Sequence, residues 1–430
     1  MFRIPEELTR RGFVEACAQA YLGVKLLGLS ASASAAAPVA SKSPTKAKAK
    51  NVIYLYLRGG ICHIDTFDPK PGREEMAGVE AIDTSVPGVQ VGGWLPKLAR
   101  QMHHVALVRS MTSTQGVHER GNYLAHTSYF QTPTIAHPSH GSWALTRLGS
   151  ENPRLPGNVL INGSPQHPGA GFMASHLAPL PIVDPAAGLQ NSRLPAGVEA
   201  SDFARRTQLS AMLSEDFLSR TPHRKAAAYS KIYEEAVGLM QSRDLKAFDI
   251  AQEDAKTRER YGSHTFGQGC LLARRLVEQG VRFIEVEEGQ NWDTHNDHVV
   301  GMQKMAPTAD QTMAALLEDL HERGLLETTL VVMATEFGRS PQVSTTTAGR
   351  GHHPAAFSWW LAGGGIRGGY VYGKTDVAGE RVVDLPVTMP DFNATIAEAL
   401  GIDLKATDIS PSGRPFTVAN DGKPIAELRG

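Results

Sequence analysis

Six stretches of the chain are dominated by apolar, β-branched and aromatic side chains without strict alternation: "NVIYLYL" (51–57), "HVALVRS" (104–110), "GNVLING" (157–163), "VRFIEVEEG" (281–289), "TLVVMATE" (329–336) and "FSWWLAG" (357–363). Short runs of this kind bounded by turn residues predict strands covered on both faces, as in a parallel sheet. Between them, apolar positions recur at helical spacing over 119–127, 202–220, 224–242, 266–280 and about 306–324. "FGQGCLLARRLVEQG" (266–280) carries an apolar stripe and closes on Gly280, as a helix should. "FSWWLAGGGIRGGYVYG" predicts a strand followed by a Gly-rich hairpin. Alternating helix and strand argue for an α/β fold, a doubly wound, mostly parallel sheet with helices on both faces. From 151 to about 200 the composition shifts to Pro and Gly, which predicts an insertion looping over one face as a lid.

The N-terminus departs from this pattern. "TRRGFVEACAQAYLGVKLLGLSASASAAAPVA" pairs Arg10 with Arg11 ahead of a mildly apolar run that ends in small residues, resembling a twin-arginine export signal over 1–40. "SKSPTKAKAK" (41–50) is a polar linker, leaving a single domain from 51 to 425. An exported, periplasmic or extracellular protein is therefore expected. After the leader no run reaches the ~18 apolar residues of a membrane span. The formal net charge is -1 with no long basic block, so nucleic acid is not an expected partner. With Cys17 in the leader, Cys62 and Cys270 allow one bridge at most, which excludes a disulfide scaffold.

In doubly wound sheets, ligands bind beyond the carboxyl ends of the strands. Chemically active side chains collect there: Cys62, His63 and Asp65 after the first strand, "SMTST" after the second, Glu336 after the fifth, and "NWDTHNDH" (291–298) after the fourth. The last brings Asp293, His295 and His298 within a few positions. With His352 of "GHHP", this rim supplies both imidazoles and carboxylates. Such a mixture suits zinc or manganese in preference to calcium, which favours oxygen. The candidate metal ligands are Asp65, Asp293, His295, His298, Glu336 and His352.

"GGICHIDTFDPKP", "RYGSHTFGQGCLLARRLVEQGVRFIEV", "WDTH", "EFGRS" and "LAGGGIRGG", in this order from about Asn51 to Thr417, resemble the bacterial DUF1501 family, exported proteins placed near the sulfatases in the alkaline phosphatase superfamily. The resemblance implies an alkaline-phosphatase-like α/β fold, and a superfamily whose enzymes hold two metals around a nucleophile. One metal site looks kept, in Asp293, His295 or His298, and His352. The other is altered: Arg58 stands where the first carboxylate is expected, and Glu336-Phe337 where an Asp-His pair is expected. Arg58 could pair with Glu336 to replace the missing charge. At the nucleophile's place stands His118, so a covalent ester mechanism is not supported.

The sequence therefore points to an exported, metal-dependent hydrolase of sulfate or phosphate esters that uses metal-activated water. His118 is its expected acid or base, and Arg339 the fork that holds an anionic group. The expected partner is a small anionic ester or a sulfated polysaccharide; oligomeric state is not set by the sequence. The alternative is a non-catalytic anion- or polysaccharide-binding protein on the same fold with a degenerate metal site.

Overall fold

The computed structural model describes residues 48–194, 196–220, 224–288 and 292–430; the leader at 1–40 and most of the linker lie outside the described residues. Every apolar run noted above forms a strand. Three more strands join these six, and in chain order the nine are β1 (Asn51–Tyr56), β2 (Val105–Thr112), β3 (Asn158–Ile161), β4 (Leu180–Ile182), β5 (Phe283–Glu287), β6 (Thr329–Ala334), β7 (Phe357–Gly363), β8 (Tyr370–Tyr372) and β9 (Val387–Thr388). They make one sheet in the order β8-β2-β7-β6-β1-β5-β3-β4, with β9 beside β2. Only β7 runs antiparallel to its neighbours β2 and β6, so the sheet is mostly parallel, as its unbroken apolar strands imply.

Successive β1 side chains go to opposite faces and join two separate cores. Ile53 and Leu55 pack with Leu272 and Leu276 of α5 (Thr265–Glu278) and Leu316 and Leu320 of α6 (His298–Glu322). Val52, Tyr54 and Tyr56 face Leu124 of α1 (His118–Thr127), Trp143 of α2 (His140–Leu148) and Phe392 of α7 (Met389–Ala399). Each fully buried Leu or Ile contributes roughly 1.5–3 kcal/mol, which holds helices on both faces. Two further helices, α3 (Ala200–Arg220) and α4 (Arg224–Gln241), expose more of their surface.

Three local expectations are corrected. The Gly-rich stretch is not a hairpin: β8 does not pair with β7 but lies parallel to β2 on its far side. Gly363, Gly364, Gly365 and Gly369 all have positive φ, which lets the chain cross over instead of folding back. The helix expected from about 306 begins at His298, running through Pro307. Finally, 151–200 does not only loop over a face. It supplies β3 and β4 at one edge of the sheet, and its middle packs on α2, where Ser139 N–H and the Ser142 hydroxyl donate to Gly169 O at 2.9 and 3.2 Å.

Candidate metal centre

Parallel strands β1, β2, β5 and β6 deliver their following loops to one rim, and antiparallel β7 starts at that rim. Gly338–Arg339 and His352–His353 pair as a two-residue ladder between β6 and β7, which fixes His352 there. Backbone hydrogen bonds tie the 293–298 segment to the 344–350 loop. Asp297 N–H donates to Thr347 O at 3.0 Å, His298 N–H to Ala348 O at 2.9 Å and Arg350 N–H to Thr294 O at 2.8 Å. A Cβ on Gly349 would collide with His295 O, so this close approach requires glycine.

Asp293 is the hub. Its Oδ1 lies 3.3 Å from His118 Nε2, 3.1 Å from His295 Nε2 and 3.4 Å from His352 Nε2. His295 Nε2 and His352 Nε2 are 2.9 Å apart. The ring tautomers follow from the partners. His352 Nδ1 sits 2.7 Å from Gly116 O, and a carbonyl only accepts, so Nδ1 carries the proton and Nε2 offers a lone pair. Burial lowers the His352 pKa, keeping the ring neutral. His118 Nδ1 donates to Glu336 Oε1 at 2.6 Å, and its Nε2 is buried without a hydrogen-bond partner. Burial pulls the His118 pKa down, but the Glu336 carboxylate outweighs it and raises it. Burial raises the Asp293 carboxyl, yet the Arg339 guanidinium overcomes this and holds it below the ordinary carboxylate value.

Glu336 is 0% exposed and does not project into this hub. It accepts from Gly59 N–H at 2.8 Å, Tyr56 O–H at 3.2 Å and Thr335 O–H at 3.3 Å as well as from His118. Arg58 is not its partner, which corrects the expected replacement pair. Phe337 walls the hub, its ring centroid 4.8 Å from that of His118 and 4.6 Å from that of His352.

Two expected ligands lie elsewhere. Asp65 and His298, 0% and 1% exposed, face each other with His298 Nε2 2.6 Å from Asp65 Oδ2. The second His298 nitrogen meets Thr294 Oγ1 at 2.6 Å, and Asp65 Oδ1 accepts from Arg350 at 3.0 Å. With Cys62, whose thiol burial pushes up to about 12, they form a separate buried grouping whose ligand-type atoms lie within 4.8 Å of one another. Arg339 is redirected too. It is 0% exposed and donates to Gly59 O, Gly60 O, Arg350 O and Asp293 Oδ1, so its fork is spent on the protein instead of facing an incoming anion.

A family model described as a protein of unknown function (DUF1501) matches residues 49–429. The chain belongs to the DUF1501 family. No curated protein matches this DUF1501 chain. Among solved structures, it is similar to the lipoteichoic acid synthase LtaP from Listeria monocytogenes, with 9% identity and TM-score 0.39 over 89% of this chain and 76% of that one. It is also similar to the PsFucS1 sulfatase from Pseudoalteromonas sp., with 12% identity and TM-score 0.38 over 88% and 72% of the two chains. Alkaline phosphatase from the Antarctic bacterium TAB5 matches with 12% identity and TM-score 0.30 over 76% and 95%.

The sequence reading missed a third grouping on the same DUF1501 chain: His126, His167 and Glu285, whose ligand-type atoms lie within 4.8 Å of one another. A signal existed. "FIEVE" places two carboxylates two apart in an otherwise apolar strand, hence on one buried face.

Proposed function

We propose that this DUF1501 protein is an exported, metal-dependent hydrolase of sulfate or phosphate esters, its substrate a small anionic ester or a sulfated polysaccharide. One observation carries the reading. His118, Asp293 and His352 place ligand atoms within 4.8 Å of one another, with His118 Nε2 buried, making no hydrogen bond and 3.3 Å from Asp293 Oδ1. Three imidazole nitrogens and one carboxylate oxygen fit zinc or manganese. A divalent cation held by His118, Asp293, His352 and His295 would supply a Lewis acid and lower the pKa of a water to about 7.

The remaining residues serve that arrangement. Glu336 fixes the His118 tautomer as a carboxylate behind a ligating imidazole does, so His118 is reassigned from acid or base to ligand. Arg339 positions Asp293. Arg58, half-buried at the end of β1 and without an ion pair among the described residues, is the guanidinium left for an anionic group. Buried Cys62 is no nucleophile, in keeping with attack by water.

The test is metal analysis of purified protein, then hydrolysis of aryl sulfates and phosphates by wild type and His352→Ala. The reading expects zinc or manganese bound at this centre and multiple turnover, both lost in the variant. It fails if metal content and turnover survive His352→Ala. Phe337, apolar and packed on two of the imidazoles, favours a single ion here and thus the second reading, an anion-binding protein. That reading expects saturable binding of sulfate or phosphate esters without turnover.

A further inference from the structure

Of the 21 residues of α3, only Phe203 is buried. Phe203, Thr207, Ser210, Ser214 and Leu218 recur at helical spacing, are buried or half-buried, and so mark the face turned toward the protein. The other large apolar side chains lie off that face: Leu209, Met212, Leu213 and Phe217 are 56%, 60%, 61% and 43% exposed. A single exposed leucine is ordinary, but four such side chains within nine residues of one helix lie side by side, as at a contact surface.

A second regularity runs through this surface. Asp202, Arg206, Leu209, Leu213, Asp216 and Arg220 are spaced alternately four and three apart, the interval that keeps one seam facing a partner helix. Leucines hold the middle of the seam and charges its ends, in an order that complements itself when reversed. About a two-fold axis level with Ala211, Leu209 comes opposite Leu213 of a second copy, Arg206 opposite Asp216, and Asp202 opposite Arg220. Within one chain Asp202 pairs with Arg205 at 2.6 Å and Asp216 with Arg220 at 2.7 Å, whereas exposed Arg206 makes no ion pair among the described residues. A parallel pairing would instead set Arg206 against Arg206 and Asp216 against Asp216. An anionic lipid surface is disfavoured, because α3 carries three acidic and three basic residues and no cationic face.

We infer that α3 is the contact through which two copies of this chain associate, antiparallel and two-fold symmetric. Leu209 and Leu213 pack across the axis, and Arg206–Asp216 and Asp202–Arg220 pairs close each end. Met212 and Phe217 flank the leucines on either side of the seam and extend the apolar contact. The ion pairs stay near solvent, so they set register and direction, while the apolar side chains supply most of the attraction. The contact does not depend on the rim centre at Asp293.

Sedimentation velocity of the purified chain over a concentration series is expected to show a monomer–dimer equilibrium. Leu209→Asp/Leu213→Asp, at two exposed positions, is expected to be monomeric with circular dichroism unchanged. Arg206→Glu and Asp216→Arg each place two like-charge contacts in the dimer and are each expected to weaken it by about 10-fold or more. Mixed in equal amounts, these two variants bring opposite charges together at both ends and are expected to associate with near wild-type affinity. A wild type that stays monomeric, a dimer untouched by the leucine substitutions, or a mixture no tighter than its components overturns the inference. So does a wild type that forms no dimer yet binds phosphatidylglycerol vesicles through the two leucines, which assigns the stripe to lipid.

Discussion

Glu336 takes hydrogen bonds from His118, Tyr56, Gly59 and Thr335 while sealed from water, so its charge is fully occupied in holding neighbours still. Glu336→Gln keeps the shape but places an amide where only acceptors fit. It is expected to loosen metal at the rim by about 10–100-fold, measured by competition with a chromophoric chelator, with circular dichroism unchanged. Arg339 makes the complementary case. Its planar fork spans three carbonyls and Asp293, a set that a single ammonium cannot reproduce. Arg339→Lys is expected to cost about 3–5 kcal/mol in urea unfolding, because carbonyls and a carboxylate arranged around it are left unmet.

At the scale of elements, the strands and most helices were legible because burial on both faces writes itself as uninterrupted apolar runs. "NVIYLYL" and "TLVVMATE" are examples, and they form neighbours β1 and β6. The Gly-rich crossover was not legible, since glycines permit a hairpin and a crossover equally and only the pairing of β8 with β2 distinguishes them. In the centre, Asp293, His295 and His352 could be read from residue type, and they do converge. His298 could not be separated from His295 by composition. Their difference is that His298 opens α6 and turns inward to Asp65. Arg339 looked like an anion fork because sequence does not reveal how many donors are already used. Glycines sharpen the contrast. Gly349→Ala forces the 344–350 loop away from His295 and is expected to cost about 2 kcal/mol or more and weaken metal binding, though it removes no ligand. Gly238 on α4 has open space around it, so Gly238→Ala is expected to raise stability by about 0.5–1 kcal/mol in the same assay.

For the whole molecule, acid is the revealing stress. His137 and His140 are buried, and burial lowers each from 6.5 to about 4. Between pH 6.5 and 4 the unfolded chain binds these protons and the native one does not. Stability is therefore expected to fall as pH drops through that window, by up to about 1.4 kcal/mol per pH unit for each imidazole. Urea unfolding at stepped pH checks this, and His137→Gln/His140→Gln should flatten the slope; an unchanged slope rejects the assignment. One side chain links the two donor groups: Tyr56 gives its hydroxyl hydrogen to Glu336 and lays its ring 4.5 Å from that of His126. If an ion at the rim and the proton on His126 are coupled through this ring, thermodynamic reciprocity follows, since whatever the one does to the other must be returned in kind. Metal uptake at the rim would then depend on pH through His126, and Tyr56→Phe would make the two more nearly independent.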